Sequence, residues 1–310
     1  MPTRIKSSIP VLIIGYARFE NIARQIKVIR SYTQGKIYIH LDGGQNQSLR
    51  SSQRDFALVL ESQYWNVKLL KREQNLGVAL GVISAIDWFF CQESSGIIIE
   101  DDLVFNAASL EFLEMGLTHI SGIAKSLMVT GCTFSRGGIV TAKLECKWTS
   151  IPLIWGWATT IDKWKKIRDL IIDCQLPAPK DFISSPRAFF QSGRIKALSG
   201  EVDTWDSPLA YMMYTKGFLC LVPPVNYFSN IGNDKHAVHT TDSKFPMFMP
   251  ISDTAPQSRW FVPPRLYEVT NANKHYIEEL FEVKKRNLFG LLRMLFLVPR
   301  IGRLKARIES

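Results

Sequence analysis

Cysteine is scarce in this chain of 310 residues, and Cys91, Cys132, Cys146, Cys174 and Cys220 are scattered without the close pairs that mark zinc or redox sites. A reducing compartment suits that pattern. No apolar run approaches the ~20 residues that crossing a bilayer requires. The stretch from Met1 to Ala17 has Arg4 and Lys6 ahead of Val11-Leu12-Ile13-Ile14, as a secretion signal would. Its apolar run is short, however, and passes into Arg18-Phe19-Glu20 without a small-residue cleavage site, so it reads as a first core strand. Repeats and low-complexity tracts are missing, and 46% hydrophobic residues exclude disorder for most of the chain. There is also no distributed excess of positive charge. The net charge is +10, but residues 283–310 carry eight Lys/Arg against one acid, leaving 30 against 27 elsewhere. With no recognition helix, zinc finger or aromatic RNA-binding motif, nucleic acid is excluded as a partner.

What is present begins with a strand at residues 10–16, followed by Ile22, Ile26, Ile29 and Tyr32 at helical spacing. A second strand, Lys36 to Leu41, stops at Asp42-Gly43-Gly44. A helix over about 49–62, a strand at Asn66 to Leu70, a polar loop at residues 73–77 and a helix from Val78 to about Cys91 follow. The next strand, Ile97-Ile98-Ile99, runs straight into Glu100-Asp101-Asp102. Alternating strands and helices predict an α/β fold with a mostly parallel central sheet flanked by helices. The second half is less regular. It offers a strand at Leu127 to Thr130, the aromatic Trp155-Gly156-Trp157, a helix at 162–173, a long Pro- and Ser-rich loop from Cys174 to Gly200, a helix from Asp206 through Tyr214, and a strand broken by Pro223-Pro224.

Three adjacent acids at the end of a buried strand repel one another unless a cation shares the site. Hard oxygen ligands suit Mg²⁺ or Mn²⁺, which complete their shell with water and substrate phosphates, so the implied ligand is a metal-bound phosphate ester. Such ligands gather beyond the carboxyl ends of parallel strands.

Tyr16-Ala17-Arg18, Asp42, Asn75-Leu76-Gly77 and Glu100-Asp101-Asp102-Leu103, in that order, resemble the GT-A fold of nucleotide-sugar glycosyltransferases. Within it they are similar to the N-acetylglucosaminyltransferases that begin complex N-glycans and to bacterial enzymes of the same pattern. Gly156-Trp157-Ala158, Trp205-Asp206 and Asn230-Ile231-Gly232 through His239-Thr240 resemble the acceptor-side half, so the likeness spans roughly residues 9–241. It implies a GT-A domain over 1–250, with a nucleotide half at about 9–105 and an acceptor half at about 125–245, then a C-terminal extension over 251–310. It also implies an inverting, metal-dependent transfer from a UDP-sugar to a glycan or lipid-linked acceptor in cell-surface polysaccharide synthesis. In that reading Asp102 holds Mn²⁺ or Mg²⁺, and Glu100 and Asp101 hold sugar hydroxyls or water. Asp42 meets the uracil or ribose, Arg18 lies near the phosphates, and Tyr16, Asn75 and Gly77 line the donor pocket. Asp206 is the base, with Trp205 beside it to pack a sugar face and desolvate it. Asp203 and Glu201 are neighbours that an alignment slip would exchange with it, Trp157 is a further acceptor-side candidate, and His239 touches or covers the diphosphate. The triplet departs from the commoner Asp-X-Asp form, and Asn233 stands where bacterial relatives carry an aromatic residue.

Each residue also has a plainer reading. Asp42 beside two glycines is a turn residue, Arg18 a solvated cation, Asp206 an N-cap, His239 a structural histidine, and the tryptophans core. Two other functions share the fold: a sugar-1-phosphate nucleotidyltransferase, whose first loop is ordinarily richer in glycine than Gly15-Tyr16-Ala17-Arg18-Phe19, and a non-catalytic glycan-binding protein. The tail repeats Arg286, Arg293 and Arg300 opposite Leu288, Leu291, Leu292 and Leu295, a basic amphipathic helix. It predicts either a helix docked on the domain or one that rests a cytoplasmic enzyme peripherally on an anionic membrane.

Overall fold

The computed structural model describes residues 7–64, 66–133, 144–172, 186–232 and 249–275. His239, Asn233 and the basic tail lie outside them. The first half alternates β1 (Val11–Gly15), α1 (Phe19–Tyr32), β2 (Ile37–Leu41), α2 (Gln47–Gln63), β3 (Val67–Lys71), α3 (Gly77–Phe90) and β4 (Ser95–Glu100). The second half runs β5 (Leu103–Val104), α4 (Ala107–Ser121), β6 (Ser126–Thr130), β7 (Lys147–Thr149), β8 (Trp157–Thr160), α5 (Ile161–Ile172), α6 (Pro186–Ser199), α7 (Asp206–Lys216), β9 (Leu219–Val222), β10 (Ser229–Asn230) and α8 (Leu266–His275).

Eight strands form one sheet in the order β3-β2-β1-β4-β8-β6-β9-β7. β1 to β4 pair in parallel, as alternation with helices requires. β8 runs antiparallel to both β4 and β6, and β7 antiparallel to β9, so the sheet is mixed rather than uniformly parallel. The period-2 alternation of β4 sorts its isoleucines between two layers. Ile97 and Ile99 join Ile22, Ile26, Leu113 and Leu117 under α1 and α4, while Ile98 joins Ile86, Phe89, Trp164 and Leu209 under α3, α5 and α7. Residues 249–275 also pack on this body: the Trp260 side chain is fully buried, and Asn273 accepts from the Thr149 hydroxyl and the Ser150 amide.

One local expectation changes, and two elements appear where none was expected. The Cys174–Gly200 segment, read as a loop, contains α6, which packs on α7. The Trp155-Gly156-Trp157 segment leads into a core strand. Helix α4, unmarked in the sequence reading, is closed by a reciprocal cap in which Asn106 accepts from the Ser109 amide and the Ser109 hydroxyl accepts from Asn106. Gly156 sits at φ +65°, and a side chain there would meet the Phe228 ring at 2.3 Å, so the glycine is set by packing.

Candidate active site

The parallel register of β1 with β2 and β4 brings Gly15, Leu41 and Glu100 to one carboxyl edge, so the loops at 16–18, 42–44 and 101–102 adjoin. Two of the acids there are committed to backbone. Asp101 is buried, and its Oδ2 accepts from the amides of Tyr16 (2.8 Å), Ala17 (3.3 Å) and Arg18 (3.3 Å), while its Oδ1 pairs with Arg18 Nη1 at 3.0 Å. Asp42, also buried, accepts from Gly43, Leu76 and Gly77 at 2.9–3.1 Å. Burial pushes its carboxyl up, and those amides and Arg72 oppose the shift. A carboxylate has about four lone-pair sites, so roughly one remains for a further hydrogen-bond donor. Asn75 Nδ2 donates to the Gly43 carbonyl, which ties the 75–77 loop to the turn after β2.

Glu100, Asp102 and Asp206 are treated differently. Glu100 is half-buried and shares the sheet face of Trp157 and Trp205. Burial, followed by the charges of Asp102, Asp101 and Asp206, raises its carboxyl well above the usual range. Burial and Asp101 push the Asp102 carboxyl up to about 6, against Arg18 and a hydrogen bond from Asn230. The antiparallel pair β5–β10 makes that contact: Asn230 lies opposite Leu103, and the Ile231 amide donates to the Asp102 carbonyl. Gly232 is required there, because a Cβ would stand 2.5 Å from Asp102 Oδ2. Asp206 opens α7 and accepts from the hydroxyls of Thr204 and, at 3.5 Å, Ser207.

The remaining candidates fall in other places. Trp157 and Trp205 are each 2% exposed and stack on one another at 5.9 Å, which makes them core rather than sugar platforms. Asp203 accepts from the amides of Val78 and Ala79. Glu201 pairs with Lys196 at 3.1 Å at the exposed end of α6. The Tyr16 hydroxyl accepts from the Gln45 amide.

Sequence reasoning missed three amides that organise this edge. Asn21 and Gln25 donate from α1 to the carbonyls of Asp101, Leu103 and Glu100. Gln53 donates from α2 to the carbonyls of Tyr16 and Asp42 and accepts from the Gly44 amide. The available signal was a polar residue inside an apolar helical stripe, as Asn21 and Gln25 are among Ile22, Ile26 and Ile29.

The donor set fits a divalent cation of one kind only. Asp102 Oδ1 is buried without a hydrogen-bond partner, a group that a cation would satisfy. Among the described residues no three His, Cys, Asp or Glu side chains converge as a ligand set. The fit is therefore to an ion held by one carboxylate, with the rest of its shell from water and phosphate, as Mg²⁺ commonly is.

No protein-family model and no curated protein sequence matches the chain. Solved structures do. The chain is similar to a mannosyltransferase from Pyrobaculum calidifontis in complex with GDP-Man and Mn²⁺, at 11% identity and TM-score 0.43, covering 76% of this chain and 59% of that one. It thus spans less than two thirds of that structure's length. It is also similar to the inositol-1-phosphate CTP transferase from T. maritima, at 9% identity and TM-score 0.40, with 76% and 94% covered. A third is 4-diphosphocytidyl-2C-methyl-D-erythritol synthase from Anaerococcus prevotii, at 10% identity and TM-score 0.35, with 76% and 92% covered. None of the three is an N-acetylglucosaminyltransferase, and at these scores the likenesses carry no argument about donor or reaction.

Proposed function

We propose that the protein is an inverting glycosyltransferase of GT-A type that moves a sugar from a UDP-sugar, with a divalent cation, to a hydroxyl of a glycan or lipid-linked acceptor. The observation that carries this reading is that Glu100, half-buried at the carboxyl edge, lies within electrostatic reach of Asp102 and Asp101 from its own loop and of Asp206 from the start of α7, so acids from the two halves of the chain meet there. Acids packed against acids are costly to the fold, and such costs collect at working sites.

In this reading Asp206 takes the proton of the acceptor hydroxyl as that oxygen attacks the anomeric carbon. The new carbon–oxygen bond forms on the face opposite the diphosphate, whose own bond to that carbon breaks. Asp102 would hold the cation, which neutralises charge on the departing diphosphate. Glu100, on the same sheet face as Trp157, would hold a donor-sugar hydroxyl. Arg18 is fixed by Asp101 beside the first loop, and Asp42 supports the 75–77 loop against the nucleoside. UDP is preferred over other nucleotides on the resemblance around Asp42.

One observation weighs against nucleotidyl transfer. The Tyr16, Ala17 and Arg18 amides, which would have to cradle a triphosphate, are occupied by the Asp101 carboxylate. Among the described residues no helix is long and apolar enough to cross a membrane. A peripheral seat on an anionic cytoplasmic face rests on the tail sequence around Arg286, Arg293 and Arg300.

The test is nucleotide release and sugar transfer from a panel of UDP-, GDP-, CMP- and TDP-sugars with Mn²⁺. Turnover of a UDP-sugar is the expected result. Failure of every sugar nucleotide to turn over or bind would overturn the reading in favour of a non-catalytic protein.

A further inference from the structure

Helix α3 starts without a side-chain cap from its own N-cap residue. Leu76 stands at the N-cap position with no side-chain oxygen, and the first turn holds no acid. Four leading amides of a helix need acceptors from elsewhere. Here two remote carboxylates take them, with Asn75 Oδ1 sharing the Gly77 amide at 3.1 Å. Asp42 takes Leu76 and Gly77, while Asp203, from the other half of the chain, takes Val78 at 2.7 Å and Ala79 at 3.2 Å. The second pair of contacts is what a local N-cap side chain would make, supplied from 125 residues away. Gly77 makes the approach feasible: its φ is +77°, and a Cβ there would stand 2.2 Å from Asp203 Oδ2.

The residues after Asp203 are anchored in turn. Trp205 is buried, stacked on Trp157 and edge-on to Trp164, and Thr204 donates its hydroxyl to Asp206 at the start of α7. Three residues thus join the α3 N-terminus, which follows the 75–77 loop, to Asp206. An exposed carboxylate in a connecting loop ordinarily contributes little, whereas this one binds two amides of a helix in the opposite half.

We infer that Asp203 is a positioning residue that fixes the first turn of α7, and Asp206 with it, against the nucleotide-side loop 75–77. The inference rests on the glycosyl-transfer reading for its catalytic consequence, but its mechanical part stands without it. Asp203 acts through Asp206 and takes no proton itself.

Two measurements on the full chain test this, with Asp203→Ala and the milder Asp203→Asn, which keeps one carbonyl acceptor. In amide hydrogen exchange without ligands, Asp203→Ala should speed exchange about fivefold at Val78 and Ala79, the loss of one cap, and should also speed it at residues 204–207 and at Leu209 and Ala210 in the first turn of α7. Acceleration confined to α3 would overturn the inference, leaving Asp203 as a cap alone. In UDP-sugar transfer, Asp203→Ala should lower kcat about 10- to 100-fold, the scale of a misplaced reacting group, with Asp203→Asn between it and wild type. The acidic limb of the pH–rate profile should keep its midpoint, since Asp206 remains. Loss of that limb would make Asp203 the base and overturn the inference, as would unchanged kcat. A wild-type chain that transfers no sugar overturns the proposed function instead, and exchange at residues 204–207, Leu209 and Ala210 then decides the positioning link by itself.

Discussion

The acids along one sheet edge divide into two regions. Asp42, Asp101 and Asp203 each accept two or three backbone amides: Asp101 and Asp42 tie the 16–18 loop and the 75–77 segment to the sheet edge, and Asp203 ties the first turn of α3 to the loop before α7. Glu100 and Asp102 instead face other carboxylates, and Asp102 keeps a buried oxygen without a hydrogen-bond partner. A carboxylate whose oxygens accept backbone amides holds architecture, and at Asp42 the amides oppose, without cancelling, the upward push of burial. One pushed toward its neutral form by burial and then by neighbouring carboxylates is destabilising to the fold while it stays charged. Adjacent residues of one motif, Asp101 and Asp102, fall on opposite sides of this line.

The largest effects should separate the two groups by what is lost. Asp206→Asn is expected to lower transfer by roughly 10²–10⁴-fold, the range for removing a general base, with the melting temperature nearly unchanged; steady-state kinetics and a thermal melt together check it. Asp101→Ala should do the reverse first, costing about 1–3 kcal/mol because three backbone amides lose their acceptor and the half-buried Arg18 guanidinium loses its Asp101 partner, read as a lower midpoint in urea. An Asp101→Ala protein of wild-type stability would erase the distinction.

Trp205→Ala sharpens it on the acceptor side. As a core residue stacked on Trp157, its truncation should cost about 3–5 kcal/mol, whereas a sugar platform would change the acceptor KM at little cost in stability. Gly77→Ala should cost about 1–3 kcal/mol through its left-handed backbone and the clash with Asp203, measured in the same way.

The smallest effect is a gain. The Asp102 carboxyl titrates near 6 in the folded chain and lower when unfolded, so the folded state holds the extra proton between those values. Its favourable contribution is full below the unfolded value and is lost as pH rises through about 6. Asp102→Asn should therefore raise the melting temperature at pH 7 in metal-free buffer by a few degrees and leave it little changed at pH 4. His40 has the opposite sign. Burial and then Arg72 lower its imidazole to about 3, so its contribution is present above 6.5 and lost as pH falls toward 3.

The regular half of the fold was legible because its signals are local. The run Ile97-Ile98-Ile99 and the stripe Ile22, Ile26, Ile29 each declare one element, and alternation implies parallel pairing. The mixed half was not, because the direction of β8 depends on what it pairs with, and α6 is recruited by packing on α7 rather than declared by its own Pro- and Ser-rich approach. At the site, residue types and order were readable, but their partition was not. Nothing in Glu100-Asp101-Asp102 says that the middle acid turns back to the first loop, because that follows from the register of β1 with β4. The role of Asp203 was likewise hidden, since its partners Val78 and Ala79 are distant in sequence and contribute only backbone.

The most direct test of the division is calorimetric titration of UDP, with and without Mn²⁺, into wild type, Asp102→Ala and Asp206→Asn. The account predicts Mn²⁺-dependent binding in wild type, retained in Asp206→Asn and lost in Asp102→Ala. Binding indifferent to both Mn²⁺ and Asp102→Ala, or no binding of UDP by the wild-type chain, would contradict it.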